Sequence, residues 1–332
     1  MKKHTIERGS CEVSAICLGT MHFGTVTDTV TSYDLLDRYV EAGGNFLDTA
    51  NNYATWIPGG RGGESETLLG RWIKERGNSS HLFIATKVGF PVPVDEVGMG
   101  LTARQIEAEC ERSLRRLGVE TIDLYYAHRD DRETPLEESL KAFHKLIKAG
   151  KVRFIGASNF VTWRLEEARW ISLNRGWPEF CCIQQRYSYL RPASGADFDP
   201  QLVGSAELLD FCRSRNMQLL AYSPLLKGVY SRSDRPLPPH YKSHESESQL
   251  TALRAVAGKL DATPNQVVLA WLMQSEPETI PVIGVSCLEQ LEENLGALDI
   301  TLSEDQIFRL SSAGNIPTSH FNAKMQKSRL AK

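Results

Sequence analysis

The sequence predicts a closed (β/α)8 TIM barrel preceded by a β-hairpin. Eight short apolar runs alternate with longer amphipathic segments along the 332 residues. The runs are almost continuously apolar, which is typical of strands that are buried on both faces of a parallel sheet. Eight strand–helix repeats suit a closed barrel better than an open, doubly wound sheet. The open sheet remains the alternative, because periodicity alone does not distinguish the two.

The eight predicted strands share β-branched and other apolar side chains. They are residues 16–19, 45–49, 82–88, 123–128, 152–158, 182–185, 218–222 and 279–283. Before them, residues 5–8 and 11–13 flank Gly9-Ser10, a pattern typical of a two-residue hairpin. We expect this hairpin to close the bottom of the barrel.

Amphipathic segments between the strands predict the helices. They are residues 28–41, 65–76, 102–117, 136–149, 161–174, 201–214, 266–274 and 288–295. Capping signals support several ends, such as Thr102 at a start and Gly118 just past a finish. The Pro- and Ser-rich residues 231–248 predict a long loop. We expect residues 1–332 to form one domain that ends in a polar tail, residues 314–332.

Composition argues against several classes of partner. The formal net charge is −3, and without a basic stripe we expect no nucleic-acid partner. No apolar run is long enough to cross a bilayer, and the first residues lack the apolar stretch of a signal peptide. The seven cysteines include no CxxC pair, so we expect reduced thiols in a cytoplasmic protein and no metal site. The oligomeric state stays open.

Four residues that can carry chemistry follow consecutive predicted strands. Asp48, Lys87 and His128 each end a buried strand, and Tyr53 lies in the loop five residues after Asp48. Active sites of barrels lie at these C-terminal strand ends. Taken singly, each residue has an ordinary structural explanation as a turn, solvated or packing residue. Together on one rim, they predict a catalytic site.

Several motifs in order and at matching spacing support this prediction. They are LDTANNY at 47–53, ATK at 85–87, DLYYAHR at 123–129, IGASNF at 155–160, QQ at 184–185, YSPL at 222–225, IPVIG at 280–284 and EQLEEN at 289–294. Over residues 18 to about 298, the chain resembles the aldo-keto reductase superfamily. The resemblance implies a nicotinamide-dependent oxidoreductase that reduces a carbonyl by hydride transfer.

The resemblance and the residue chemistry assign the same four catalytic roles. Tyr53 is expected to act as the acid, although the ordinary tyrosine pKa of about 10 is high for that task. The Lys87 ammonium is expected to lower the pKa of Tyr53, while Asp48 holds Lys87 in place. His128 is expected to orient the carbonyl by a hydrogen bond.

The resemblance also implies which residues bind the nicotinamide cofactor. They are Gly19, Thr20, Met21, Asp48, Ser158, Asn159, Gln185, Tyr222, Ser223, Pro224, Leu225, Gly228, Gly284, Ser286, Gln290 and Asn294. Ser158, Asn159 and Gln185 would bind the carboxamide. NADP(H) is the expected cofactor and NAD(H) remains open, because Gly284 and Gln290 stand where relatives carry a Lys and an Arg. Ser286 or Lys227 could compensate for those missing cations.

The substrate and the activity leave alternatives. Met21, Phe23, Trp56 and Phe90 are the candidate walls of the substrate pocket, with ordinary packing as the other interpretation. An aldehyde, a ketone or a sugar would each suit such walls. The alternative functions are a regulatory module that binds cofactor with little turnover, and a lyase that uses Lys87 as a Schiff base.

Overall fold

Runs of buried β-branched and aromatic residues form the predicted barrel. The computed structural model describes residues 1–6, 11–92 and 98–314. The hairpin consists of β1 (Lys3–Ile6) and β2 (Cys11–Ser14). The barrel strands are β3 (Cys17–Gly19), β4 (Phe46–Asp48), β5 (Phe83–Val88), β6 (Ile122–Ala127), β7 (Val152–Ser158), β8 (Cys182–Arg186), β9 (Gln218–Tyr222) and β10 (Thr279–Gly284). All barrel pairs are parallel, and β10 closes on β3, which excludes the open sheet.

The hairpin lies against the interior of the barrel. Ile6 and Val13 belong to the same buried cluster as Phe46 and Phe83, which begin β4 and β5. Because those strand starts lie at the bottom of the barrel, the hairpin closes that end, as predicted. Its register pairs Ile6 with Cys11, and the predicted Gly9-Ser10 turn falls between these two residues. Residues 7–10 lie outside the described residues.

Helices surround the barrel. They are α1 (Thr29–Glu41), α2 (Glu64–Arg76), α3 (Ala103–Leu117), α4 (Leu136–Lys148), α5 (Thr162–Arg175), α6 (Ala206–Arg215), α7 (His244–Leu260), α8 (Pro264–Gln274), α9 (Leu288–Leu295) and α10 (Glu304–Ser312). The apolar faces of α1 to α6 and α9 pack on the outward-facing strand residues in the largest buried cluster, while α7, α10 and most of α8 pack in a second cluster. Within the described ranges, no helix is long and apolar enough to span a membrane. The predicted tail lies outside the described residues except for Gly314.

Two predicted boundaries are wrong for identifiable reasons. The predicted loop 231–248 ends early, because Ser243 and Ser246 form reciprocal capping contacts that begin α7. The helix predicted from residue 201 begins at 206, because Val203 forms a β-bridge with Arg186 and Ser205 caps α6. Neither α7 nor α10 was predicted as a helix.

Candidate active site

A buried ion pair lies at the centre of the site. Asp48 ends β4 and Lys87 lies near the end of the neighbouring strand β5, and both are essentially inaccessible to solvent. Lys87 Nζ donates to Asp48 Oδ1 at 2.5 Å, to the carbonyl oxygen of Thr49 at 2.8 Å and to Tyr53 Oη at 2.8 Å. Since an ammonium has three N–H donors, all three are occupied.

Tyr53 therefore accepts a hydrogen bond from Lys87 through its oxygen. Its hydroxyl donates to Asp48 Oδ1 at 3.4 Å, a long and therefore weak hydrogen bond. The tyrosine ring lines a cavity that opens at the C-terminal ends of the strands. Because Lys87 occupies a lone pair of the phenol oxygen and the bond to Asp48 is weak, Tyr53 can donate its proton to a closer acceptor in the cavity.

The expected lowering of the Tyr53 pKa is wrong. Burial and the nearby Asp48 carboxylate raise the pKa of Tyr53 well above 10. The Lys87 ammonium does not reverse this effect, because Asp48 offsets its charge at 2.5 Å. Tyr53 is consequently a neutral phenol at physiological pH and can donate a proton.

His128 follows β6 and faces Tyr53 across the cavity. The two ring centroids are 6.1 Å apart, and Phe90 packs edge-on against the imidazole at 4.7 Å. Burial, reinforced by the Lys87 charge, holds the pKa of His128 well below 6.5. The imidazole is therefore neutral at physiological pH. Its buried Nδ1 has no hydrogen-bond partner among the described residues.

Asn159 joins the strand ends around His128. Its left-handed backbone (φ 55°) follows β7, and its Nδ2 donates to the carbonyl oxygen of His128 at 3.0 Å. Its Oδ1 accepts from Tyr222 Oη at 2.8 Å and from the backbone N–H of Leu202 at 3.1 Å. Asn159 therefore ties the ends of β6, β7 and β9 together beneath the cavity.

The cavity has a volume of about 710 Å³ and contains most of the predicted site. The predicted residues on its wall are Gly19, Met21, Phe23, Asp48, Tyr53, Trp56, Phe90, His128, Ser158, Asn159, Tyr222, Ser223, Pro224, Leu225, Gly228, Gly284, Ser286, Gln290 and Asn294. All four candidate substrate-pocket residues are among them, with Trp56 more than half exposed and Phe23 buried. One continuous cavity thus joins the catalytic residues to the predicted cofactor residues.

Two predicted cofactor residues lie elsewhere. Gln185 accepts from the backbone N–H of Asn159 and donates to the carbonyl oxygen of Phe160, away from the cavity. Gln184 lines the cavity instead and donates to Asp48 Oδ2 at 2.7 Å. Side chains alternate along a strand, so an error of one residue places the side chain on the other face. Thr20 is also buried away from the cavity, against Asp48 and Ser65.

Several residues that line the cavity were not among the predicted site residues. Arg232 and Arg235 come from the segment after β9, and Asn265 lies in the first turn of α8. Their individual positions could not be predicted, because loop residues approach the cavity only through the fold. Gln184 was detectable, since Cys182 two residues earlier lies in the interior cluster while Ile183 faces the helices.

The cavity has polar groups at both ends that suit a dinucleotide. The buried Oδ1 atoms of Asn52, near Tyr53, and of Asn265, near Asn294, have no partner within the described residues. A Cβ on Gly284 would meet nothing within 4 Å, so the wall there is open. A nicotinamide dinucleotide carries N–H donors at its carboxamide and its adenine, one at each end. The residues present therefore fit such a cofactor.

A second buried ionic cluster supports the loop that carries Tyr53. Glu66 of α2 accepts from Thr86 Oγ1 and from Arg116 Nε, each at 2.6 Å. Glu109 of α3 accepts from Asn51 Nδ2 at 2.8 Å. Thr86 precedes Lys87 and Asn51 lies two residues before Tyr53. The cluster thus fixes the backbone on both sides of the catalytic pair.

Comparison with known proteins agrees with this geometry. Residues 15–315 match the aldo/keto reductase family. The chain belongs to this family of NAD(P)H-dependent oxidoreductases. It is 32% identical to a norsolorinic acid reductase of Emericella nidulans, over 90% of this chain and 77% of the relative. It is 28% identical to an aryl-alcohol dehydrogenase of Pestalotiopsis microspora (90% and 78%) and 29% identical to an aldo-keto reductase of Schizosaccharomyces pombe named for NADP(+) (90% and 86%).

Proposed function

We propose that the protein is an NADP(H)-dependent reductase of aromatic aldehydes or ketones, with Tyr53 as the proton donor. The observation that carries the proposal is the hydrogen bonding of Lys87. Two of its donors fix the ammonium on Asp48 and Thr49, and the third contacts Tyr53 Oη and leaves the phenolic proton for a group in the cavity. The high pKa of Tyr53 keeps that proton bound until it is needed.

The reaction develops negative charge on the carbonyl oxygen. A bound reduced nicotinamide would supply the hydride to the carbonyl carbon. The rings of Tyr53 and His128 both line the cavity, so an oxygen between them can accept hydrogen bonds from both. As the C–H bond forms and the carbonyl π bond breaks, the oxygen takes the proton of Tyr53. The resulting phenolate lies beside the Lys87 ammonium until solvent returns a proton.

An aromatic substrate is supported by the walls of the cavity. Trp56 packs edge-on against Tyr53 with ring centroids 6.2 Å apart, and Phe90 packs against His128. Flat apolar walls on both sides of the reacting carbonyl favour a planar ring over a sugar. One of the relatives is named for an aromatic substrate, an aryl alcohol.

NADP(H) is supported by three cationic side chains that line the cavity, Lys227, Arg232 and Arg235, and by the relative named for NADP(+). The Schiff-base alternative is disfavoured, because Lys87 is fully enclosed and all three of its donors are occupied. A nucleophilic amine would need a free lone pair facing the cavity.

The test is oxidation of NADPH and NADH with a panel of aromatic aldehydes, ketones and keto sugars. We expect turnover with aromatic carbonyls and a loss of about 10²- to 10⁴-fold in kcat for Tyr53→Phe, the usual contribution of a general acid. The variant should bind NADPH as the wild type does. Wild-type turnover in Tyr53→Phe would refute the mechanism. Tight NADPH binding without turnover on any substrate would favour the regulatory alternative.

A further inference from the structure

Asn51 lies in the loop that carries Tyr53 and faces away from the catalytic cavity. Its side chain is buried and does not line the cavity, whereas that of the next residue, Asn52, does. The Asn51 amide reaches outward to the helix layer, where Nδ2 donates to Glu109 Oε2 of α3 at 2.8 Å. Among residues 50–53, all of which the structure describes, Asn51 has the only side chain that hydrogen-bonds to a helix. This hydrogen bond therefore ties the loop to α3.

The Glu109 carboxylate is itself fixed within the helix layer. It is buried, its Oε1 accepts from Arg112 Nη1 at 2.6 Å, and Arg116 Nη2 lies 3.7 Å from its Oε2. One carboxylate oxygen thus binds the arginine and the other binds Asn51. A hydrogen bond to an ionised acceptor is stronger than one between neutral groups. This single contact is therefore a firm restraint on the loop.

The backbone of the same loop is restrained from two other sides. The Asn51 N–H donates to the carbonyl oxygen of Lys87 at 3.4 Å, a long and therefore weak hydrogen bond. On the opposite side, a Cβ on Gly62 would come within 2.9 Å of the Asn51 carbonyl oxygen, and one on Gly60 would collide with the carbonyl oxygen of Ala54. Glycine at these positions lets the segment pack directly on the loop. This packing also sustains the left-handed backbone of Ala54 (φ 76°).

The position of Tyr53 depends on this tether, because Tyr53 follows Asn51 by only two residues. The Tyr53 N–H donates to the carbonyl oxygen of Ala50 at 3.4 Å, which is again long. At the other end of the side chain, the phenol oxygen lies 2.8 Å from Lys87 Nζ. A shift of about 1 Å would carry these two atoms beyond hydrogen-bonding distance.

We propose that Glu109, acting through Asn51, is a positioning residue for Tyr53. The pair holds the phenol oxygen against Lys87 and toward the cavity, and so sets kcat without contacting substrate or cofactor. The inference rests on the proposed function, since it requires Tyr53 to be the proton donor. A misplacement of about 1 Å in a reacting group can cost about 10²-fold in rate, so loss of this one hydrogen bond should be visible in turnover.

The experiment first replaces the hydrogen bond by a repulsion. Asn51→Asp has nearly the same shape but places a second carboxylate against Glu109, and like charges at this distance repel. We expect kcat for an aromatic aldehyde to fall about 10- to 100-fold. KM and the Kd of NADPH should change less than about twofold, because neither side chain lines the cavity.

A second substitution then restores the hydrogen bond with donor and acceptor exchanged. Glu109→Gln alone should also lower kcat, since its one amide oxygen cannot replace the two carboxylate oxygens that bind Arg112 and Asn51. In the double variant, the amide oxygen accepts from Arg112 while the amide N–H donates to the new aspartate. Its kcat should recover to within about threefold of the wild type, which independent effects would not give.

Two further variants separate positioning from stability. Asn51→Ala removes the donor without adding a charge, so it should lower kcat in the same direction even if Asn51→Asp does not fold. Cys110→Ala removes a buried side chain of α3 next to Glu109 and leaves the tether intact. It should lower the midpoint of urea unfolding but not kcat. An equal fall of kcat in Cys110→Ala would identify general destabilisation as the cause and would overturn the inference.

The remaining outcomes distinguish this inference from the proposed function. Wild-type kcat in Asn51→Asp and Asn51→Ala would overturn the inference, and so would a double variant slower than either single variant. If Tyr53→Phe is inactive in that case, the proposed function stands. Wild-type turnover in Tyr53→Phe would refute the proposed function and the inference together.

Discussion

Because the pKa of Tyr53 is raised, we expect the rates of reduction and oxidation to depend on pH in different ways. Reduction needs the neutral phenol, and oxidation of an alcohol needs the phenolate. With a pKa well above 10, fewer than about one molecule in a thousand carries the phenolate at pH 7. Reduction should therefore be independent of pH from about 6 to 9, while oxidation should rise about tenfold per pH unit.

His128 should not disturb this profile. Its pKa lies well below 6.5, so the imidazole stays neutral through the neutral range and gains a proton only in acid. Protonation would then give the site a second positive charge beside Lys87. We expect kcat for reduction to fall only well below pH 6.5, with no inflection near that value.

The assay is the absorbance of the reduced nicotinamide at saturating cofactor, with one aromatic aldehyde and its alcohol, across this pH range. Asp48→Asn is the informative variant, because Asp48 is the charged group that raises the pKa of Tyr53 most. In this variant the rate of reduction should begin to fall at a lower pH than in the wild type, because the phenol ionises more readily. A reduction rate that falls steadily between pH 6.5 and 9 in the wild type would refute the reasoning.

Two further predictions concern the supports of the site. Glu66→Ala leaves the partly buried Arg116 guanidinium with only the more distant Glu109 carboxylate, at 3.7 Å, so we expect a loss of about 3 kcal/mol in the free energy of unfolding. Urea titration should reveal it, against less than about 1 kcal/mol for exposed Glu292→Ala, and equal losses would contradict the role of burial. Trp56→Ala should raise KM about 2- to 12-fold for an aromatic ketone and leave KM for a small aliphatic aldehyde unchanged. Equal effects on both substrates would exclude stacking as the cause.

Much of the fold was predictable because each barrel strand is a buried apolar run. All eight predicted strands agree with the structure to within two residues at either end. The helix boundaries were less predictable, since Ser residues near position 243 are equally typical of loops and of helix caps. Only the reciprocal contact between Ser243 and Ser246 distinguishes the two, and it depends on side-chain geometry.

The four candidate catalytic residues were predictable, because their positions follow from where the strands end. Asp48, Tyr53, Lys87 and His128 converge because parallel strands place their C-terminal ends on one rim. The raised pKa of Tyr53 was not predictable, because its sign depends on how closely Asp48 offsets Lys87. Arg235 was not predictable either, since its position depends on a long connection that the sequence pattern leaves undefined.

Substitutions at Asp48 and Lys87 can test the contribution of this ion pair to stability separately from its contribution to catalysis. Every donor of Lys87 is occupied, and Asp48 accepts from Lys87 and Gln184, so the wild-type pair is stable despite its burial. Lys87→Met alone leaves the Asp48 carboxylate buried without a positively charged partner and should lower the free energy of unfolding by about 3–5 kcal/mol. Adding Asp48→Asn removes that charge, so the double variant should regain much of the stability. It should not regain turnover, because Tyr53 would still lack the ammonium that stabilises its phenolate. Urea titration and turnover of the four proteins in this cycle test the argument, and a double variant that is less stable than Lys87→Met would contradict it.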